Sequence, residues 1–156
     1  MRDDVLEVDA WQLEAHLDDA DAAERARDPG AALAAYRAVL PLWRGEPLDD
    51  AAGADWAAPL QHRWRTRYVT AAVRAGELAL AKGAPGESRR AAEQALVADP
   101  GSESAYQLLA RSHLAMDDAT GARGALEACV RALTDLDVAP DATTRRLIAT
   151  VTGRPT

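Results

Sequence analysis

Residues 72–100, AVRAGELALAKGAPGESRRAAEQALVADP, and residues 106–134, YQLLARSHLAMDDATGARGALEACVRALT, decide the fold. Laid over each other at an offset of 34 residues, they pair Ala72 with Tyr106, Ala75 with Leu109, Gly76 with Ala110 and Ala79 with His113. Further on they pair Ser88 with Ala122, Ala92 with Leu126, Ala95 with Cys129 and Pro100 with Thr134. Apolar residues recur at three- and four-residue intervals within each stretch, the period of one helix face. Self-similarity at a fixed period of this size marks a stack of repeated units. Three of the pairs, Gly76/Ala110, Ser88/Ala122 and Ala95/Cys129, are small. Two helices crossing at those points approach closely, because a larger side chain would push them apart.

These are the spacings of tetratricopeptide units, and the rest of the chain is read outward from them. Asp9, with Gln12 three residues on, predicts an N-cap and capping-box partner for a first helix from Ala10 to Arg27. Asp28-Pro29-Gly30 breaks it, and Ala31, Ala32, Ala35, Tyr36, Val39 and Leu40 form one face of a second helix that Pro41, Gly45 and Pro47 end. Residues 44–54 read as a connecting loop. Asp55 is placed to cap a long third helix with Leu60, Trp64, Tyr68, Ala72, Ala75 and Ala79 on one face, stopping at Gly83. A fourth runs from about Gly86 to Ala98. Ser102 caps a fifth, with Ala105, Tyr106, Leu109, Ala110 and His113 on its buried side. Asp118 caps a sixth containing Ala122, Leu126, Cys129, Val130 and Leu133, and Ala139-Pro140-Asp141 opens a shorter last helix with Leu147, Ile148 and Val151. The first pair fits the repeat less well, with Ala20, Ala32 and Tyr36 as its candidates. The expected architecture is all-α: a tetratricopeptide-like, right-handed stack of about three helix pairs plus a C-terminal capping helix, in one domain over residues 9–153.

Composition agrees. Of 156 residues, 48% are hydrophobic and none is Phe, a balance that favours close-packed helices over strands. A chain of this length buries roughly 68–70% of its unfolded surface, enough for a core without disulfides or metals. The single Cys129 cannot pair internally and fits a reducing compartment, so the cytoplasm is expected. No segment reads as a signal peptide or as the roughly 20 apolar residues that span a bilayer. A net charge of -7 argues against direct nucleic-acid binding, which depends on neutralising phosphates. The charge is uneven: residues 1–30 carry ten acids against three arginines, whereas Arg63, Arg65, Arg67 and Arg74 lie in an acid-free stretch from Gln61 to Gly76. Its plainest reading is a helix face complementing an acidic neighbour.

A search for chemistry yields no catalytic, cofactor-binding or metal site. His16, His62 and His113 fall on different helices with no partner at ligand spacing, and His113 reads as a satisfied structural histidine facing its partner helix. No phosphate loop or nucleophile motif is present. The acidic clusters Asp18-Asp19-Asp21 and Asp117-Asp118 read as solvated or capping residues. The tryptophans Trp11, Trp43, Trp56 and Trp64 read first as packing residues, Trp43 and Trp56 anchoring the connection between the second and third helices. Trp56, Arg63, Arg65 and Arg67 are the candidates for a partner-facing surface.

Several segments in order carry a resemblance. Val8-Asp9-Ala10-Trp11 forms the entry to the first helix, and Leu42-Trp43-Arg44-Gly45-Glu46-Pro47-Leu48 forms a Leu-aromatic-Arg-Gly-x-x-Leu turn. Asp55-Trp56 is followed by Arg63, Arg65 and Arg67. Ala98-Asp99-Pro100 leads to Glu103, Ala105 and Tyr106, and Ala125-Leu126-Glu127-Ala128-Cys129 leads to Leu136-Asp137-Val138-Ala139-Pro140-Asp141. In this arrangement the chain resembles the bacterial transcriptional activator domain of antibiotic-regulatory (SARP-type) activators, with Asp137 where that family has glycine. Asp tolerates left-handed backbone, which would preserve the turn. The resemblance implies a domain that regulates transcription through protein contacts and adjoins a winged-helix DNA-binding domain, residues 1–8 being a linker remnant from that missing N-terminal region. The implied partners are that domain of the same polypeptide, RNA polymerase or a second protomer. The alternative reading is a stand-alone adaptor that clasps a peptide in its concave groove, although the fifth helix offers such a ligand only Gln107 and Arg111.

Overall fold

The computed structural model describes residues 3–43 and 57–153, which form seven α-helices, one 3₁₀ turn and no strand. The helices are α1 (Asp3–Arg25), α2 (Pro29–Val39), α3 (Ala57–Ala81), α4 (Pro85–Ala98), α5 (Glu103–Ala115), α6 (Ala119–Asp135) and α7 (Ala142–Thr152), with the 3₁₀ turn at Leu40–Leu42. Each helix packs against the next, and α1, α3, α5 and α7 also touch in succession. This is the tetratricopeptide-like stack that the 34-residue period predicts: three pairs and a closing helix.

One turn follows the first helix of each pair. Arg27, Gly83 and Asp117 take left-handed φ values of 55°, 76° and 58° just after α1, α3 and α5. In each case the next amide reaches back five residues, Asp28 to Ala23, Ala84 to Ala79 and Asp118 to His113, all at 2.9 Å. That closure satisfies carbonyls that a helix end would otherwise leave unpaired. The following helix starts at once. Asp28 Oδ1 accepts from the Gly30 and Ala31 amides at 3.0 Å, and Asp118 Oδ1 from Gly121 at 2.8 Å. Pro29 and Pro85 occupy first-turn positions where a missing N–H costs nothing. The same closure ends α6, with Asp137 at φ 61° and Val138 N bonded to Leu133 O at 2.9 Å, so aspartate fills the left-handed position as expected.

The helices cross on small residues. A Cβ added at Gly76 would collide with Leu108 Cδ2 and stand 3.2 Å from Ser88 O and 3.3 Å from Ala91 Cβ. Ala92, Ala95, Ala110, Ala122 and Cys129 are fully buried around these crossings. The buried hydroxyls of Ser88 on α4 and Ser112 on α5 lie 2.8 Å apart, and Ser112 also bonds Leu108 O. Burial holds the Cys129 thiol up, to about 11, so it behaves as a small apolar residue.

Four expectations need correction. No Gly or Pro interrupts residues 3–25, and α1 therefore starts at Asp3, leaving Asp9 inside the helix rather than at its cap. On α2 the buried face is Ala32, Leu33, Tyr36 and Val39, and Ala31 is exposed. On α5 it is Ala105, Leu108, Ala110 and Ser112, with Tyr106, Leu109 and His113 half-buried, because α3 and α4 cover α5 on one side while α6 and α7 cover it on the other. Trp11 is 76% exposed: Leu13, Leu17, Ala20 and Ala23 form the buried stripe of α1, and Trp11 lies outside it. The loop read at residues 44–54, the Asp55 cap and Trp56 fall outside the described residues.

Candidate interaction surface

The acid-free stretch of α3 lies against the acidic α1. Arg67 pairs with Glu14, and Arg63 Nη2 approaches the same carboxylate at 3.9 Å. About two turns further along α3, Arg74 bonds both Glu24 oxygens, at 2.6 and 3.1 Å, and Glu77 at 3.2 Å. Glu77 in turn accepts from Arg111 of α5 at 3.2 Å. A chain of alternating charge, Glu24–Arg74–Glu77–Arg111, thus links the first helices of three successive units. The hydrogen bonds from Arg74 hold the Glu24 carboxyl below its ordinary value, and the same bonds raise Arg74. The reading of Gln61–Gly76 as a face complementing an acidic neighbour is what the structure shows.

The candidate arginines therefore separate. Arg63 has a side chain 63% exposed and, among the described residues, only a loose ion pair, whereas Arg67 is half-buried and bound tightly to α1. Arg65 is half-buried and also interacts within the chain. Exposed Trp11 and Leu60 each lie one helical turn before the Glu14–Arg63 bridge on their own helices, which places them at the same level of the stack. Trp43 packs on Tyr68 with ring centroids 4.9 Å apart, and the Tyr68 hydroxyl donates to Leu40 O at 3.0 Å. Trp43 and Trp64 both pack against the main core, the anchoring role read for Trp43. Burial pushes the Tyr68 hydroxyl up to about 12.

At the other end, Glu103 closes the domain. Its Oε1 accepts from the Asp141 amide at 2.7 Å and from Thr144 Oγ1 at 2.6 Å, and Gln107 Nε2 donates to Thr144 Oγ1 and Asp141. The segment around Asp99-Pro100 and Glu103 and the Val138-Ala139-Pro140-Asp141 turn, distant in sequence, are thus one hydrogen-bonded joint that docks α7. His113 Nδ1 sits 2.8 Å from Asp118 Oδ2, packed against Gly121, and serves as the satisfied structural histidine anticipated. The sequence reading missed Thr144, which is fully buried, and the fixing role of Glu103. The signal was present, since Thr144 lies 34 residues beyond Ala110 in the small-residue series.

No group of three or more His, Cys, Asp or Glu suited to a metal occurs among the described residues, and none of their helices is long and apolar enough to cross a membrane. Stacked pairs, small-residue crossings and a charged ladder of first helices define a helical-repeat domain. Residues 8–152 match the family described as the bacterial transcriptional activator domain, and the chain belongs to that family. Comparison with curated proteins returned no match.

Proposed function

We propose that the chain is the non-catalytic protein-contact module of a bacterial transcriptional regulator, acting in the cytoplasm beside a winged-helix DNA-binding domain. The observation that carries this reading is the family match across residues 8–152. The net charge of -7 supports it, because a domain so acidic works on transcription through proteins rather than through phosphates. Its partners are the adjoining DNA-binding domain, RNA polymerase or a second protomer. The adaptor alternative draws no support from the inner side chains: Gln107 is committed to Asp141 and Thr144, and Arg111 to Glu77.

Trp56, Arg63, Arg65 and Arg67 remain the proposed partner-facing group, and Arg63 is the member best exposed for it. Arg63→Glu is expected to weaken a specific complex while leaving the melting temperature in place, whereas Arg67→Glu lowers stability by setting two carboxylates together. Grafting a winged-helix domain onto the chain is expected to raise transcription from that domain's promoter. Output no greater than that of the DNA-binding domain alone would overturn the reading.

A further inference from the structure

We propose that α7 is a releasable strap, which leaves α5 and α6 as one unit while the rest of the stack stays packed, and that the joint of Glu103, Gln107, Asp141 and Thr144 is its catch. The proposal is independent of the reading above, because it concerns how the domain's own contacts open.

The way α7 is held carries the inference. Its buried residues are Thr144 and Val151, one of them polar, whereas α6 beside it buries Ala122, Ala125, Leu126, Cys129 and Leu133. Leu147 and Ile148 add half-buried contacts. The polar hold sits at one end of the helix. There Glu103 Oε1 accepts from the Asp141 amide and the Thr144 hydroxyl, and Gln107 Nε2 donates to Thr144 Oγ1 and Asp141. At the other end Arg123 Nη2 reaches Val151 O at 3.5 Å, beyond the usual hydrogen-bond range. Water can replace the partners of a joint at the rim, whereas parting α6 from α5 would bare a continuous apolar face. The connection permits release as well. Leu136, Asp137, Val138 and Ala139 are exposed, so the segment between α6 and α7 can swing without breaking buried contacts.

One residue reports the state of the strap. Cys129, the sole cysteine of the chain, is fully buried on α6 with its thiol against the Thr144 hydroxyl. With α7 in place, burial keeps the thiol protonated; with α7 away, it meets solvent with an ordinary thiol's reactivity. Release also takes Leu147, Ile148 and Val151 out of the cluster they form with Ala110 and Leu126. The open domain thus presents an apolar surface that the closed one hides.

The test is the rate at which iodoacetamide alkylates Cys129 in the whole chain, followed by mass across a urea series. Release of α7 exposes little surface, so the rate at low urea should be nearly flat and rise steeply only where the whole chain unfolds. Gln107→Ala and Thr144→Val should each raise the flat rate about tenfold, the equivalent of one hydrogen bond to a charged group, with the unfolding midpoint kept. Leu33→Ala, which weakens the far end of the stack, should leave the flat rate unchanged. If a catch variant lowers the midpoint, hydrogen exchange of the wild type decides: the amides of residues 143–152 should exchange together and ahead of those of residues 119–135. Alkylation that tracks global unfolding at every urea concentration overturns the proposal. So does a flat rate that the catch variants leave unchanged or that Leu33→Ala raises equally, and so do α7 amides as protected as those of α6.

Discussion

The first helix pair and the units that follow reach the same architecture by different means. Between α1 and α2 most of the buried residues are large, Leu13, Leu17, Leu33, Tyr36 and Val39, beside the alanines Ala20, Ala23 and Ala32. Between α3 and α6 they are mostly alanines, with Gly76 and Ser88 at the tightest crossing. Where the 34-residue register holds, backbones approach and small side chains suffice. Where it fails, bulk fills the gap, and the ion pairs of Glu14 and Glu24 tie α1 to α3. Stability in the first region should therefore respond to removing volume, and in the second to adding it.

The largest effect is expected from Leu33→Ala. Leu33 is 1% exposed in the large-residue region, and such a truncation costs about 2–5 kcal/mol through lost burial and the cavity left behind. Urea denaturation measures it. A cost under about 1 kcal/mol would mean that the first pair collapses around the void and does not depend on volume. Gly76→Val tests the converse. Its Cβ meets Leu108 at the α3–α5 contact and Ser88 at the α3–α4 crossing, and overpacking of this kind costs roughly 1–3 kcal/mol. Gly124, where an added Cβ meets nothing, is the control, and Gly124→Ala should stabilise by up to about 1 kcal/mol through helix propensity.

The two regions also differed in how far the sequence disclosed them. The repeat period located α3 to α6, their small crossings and their caps at Ser102 and Asp118, because each is a local or periodic property. The left-handed Asp137 was likewise legible, since its turn chemistry is local. The first pair was less so. Its helix start has no breaker to mark it, and Leu33 is buried because α2 is covered more widely than one stripe, which depends on neighbours. The 3.6-residue period of Leu13, Leu17 and Ala20 sets Trp11 on the opposite side of α1, so its exposure is legible in the spacing although its size suggests packing. The arginine run was legible as a complement to an acidic helix, but which arginine stays exposed depends on where Glu14 stands. The Glu103 joint needs two turns brought together in space.

A smaller effect distinguishes packing from polarity inside the second region. Ser112→Ala leaves the buried Ser88 hydroxyl without its partner, at a cost of about 1–3 kcal/mol. Removing both hydroxyls should cost less than the sum of the single changes, and a double-mutant cycle in urea reads the difference. Strict additivity would show that the two hydroxyls are satisfied independently and do not bind α4 to α5.

The smallest effect belongs to the ion pairs of the first region. Glu24 and Arg74 have side chains 33% and 40% exposed, so the pair is screened and Glu24→Gln should cost under about 1 kcal/mol, less still in high salt. Its sign with pH is fixed. The Glu24 carboxyl is held below the ordinary 4.5 by its bonds from Arg74, and Glu87 is lowered likewise by Arg37. The folded state thus binds fewer protons than the unfolded one, and the contribution is fully present above the ordinary carboxylate range. It is lost as pH falls through the lowered folded values. Thermal melts from pH 7 down to 3 should therefore show the wild type losing stability below about pH 4.5, where unperturbed carboxylates titrate, and Glu24→Gln losing less of it. Parallel curves would mean that Arg74 holds Glu24 no better than solvent does, leaving large side chains and the Glu14–Arg67 pair to join the first pair to the repeat.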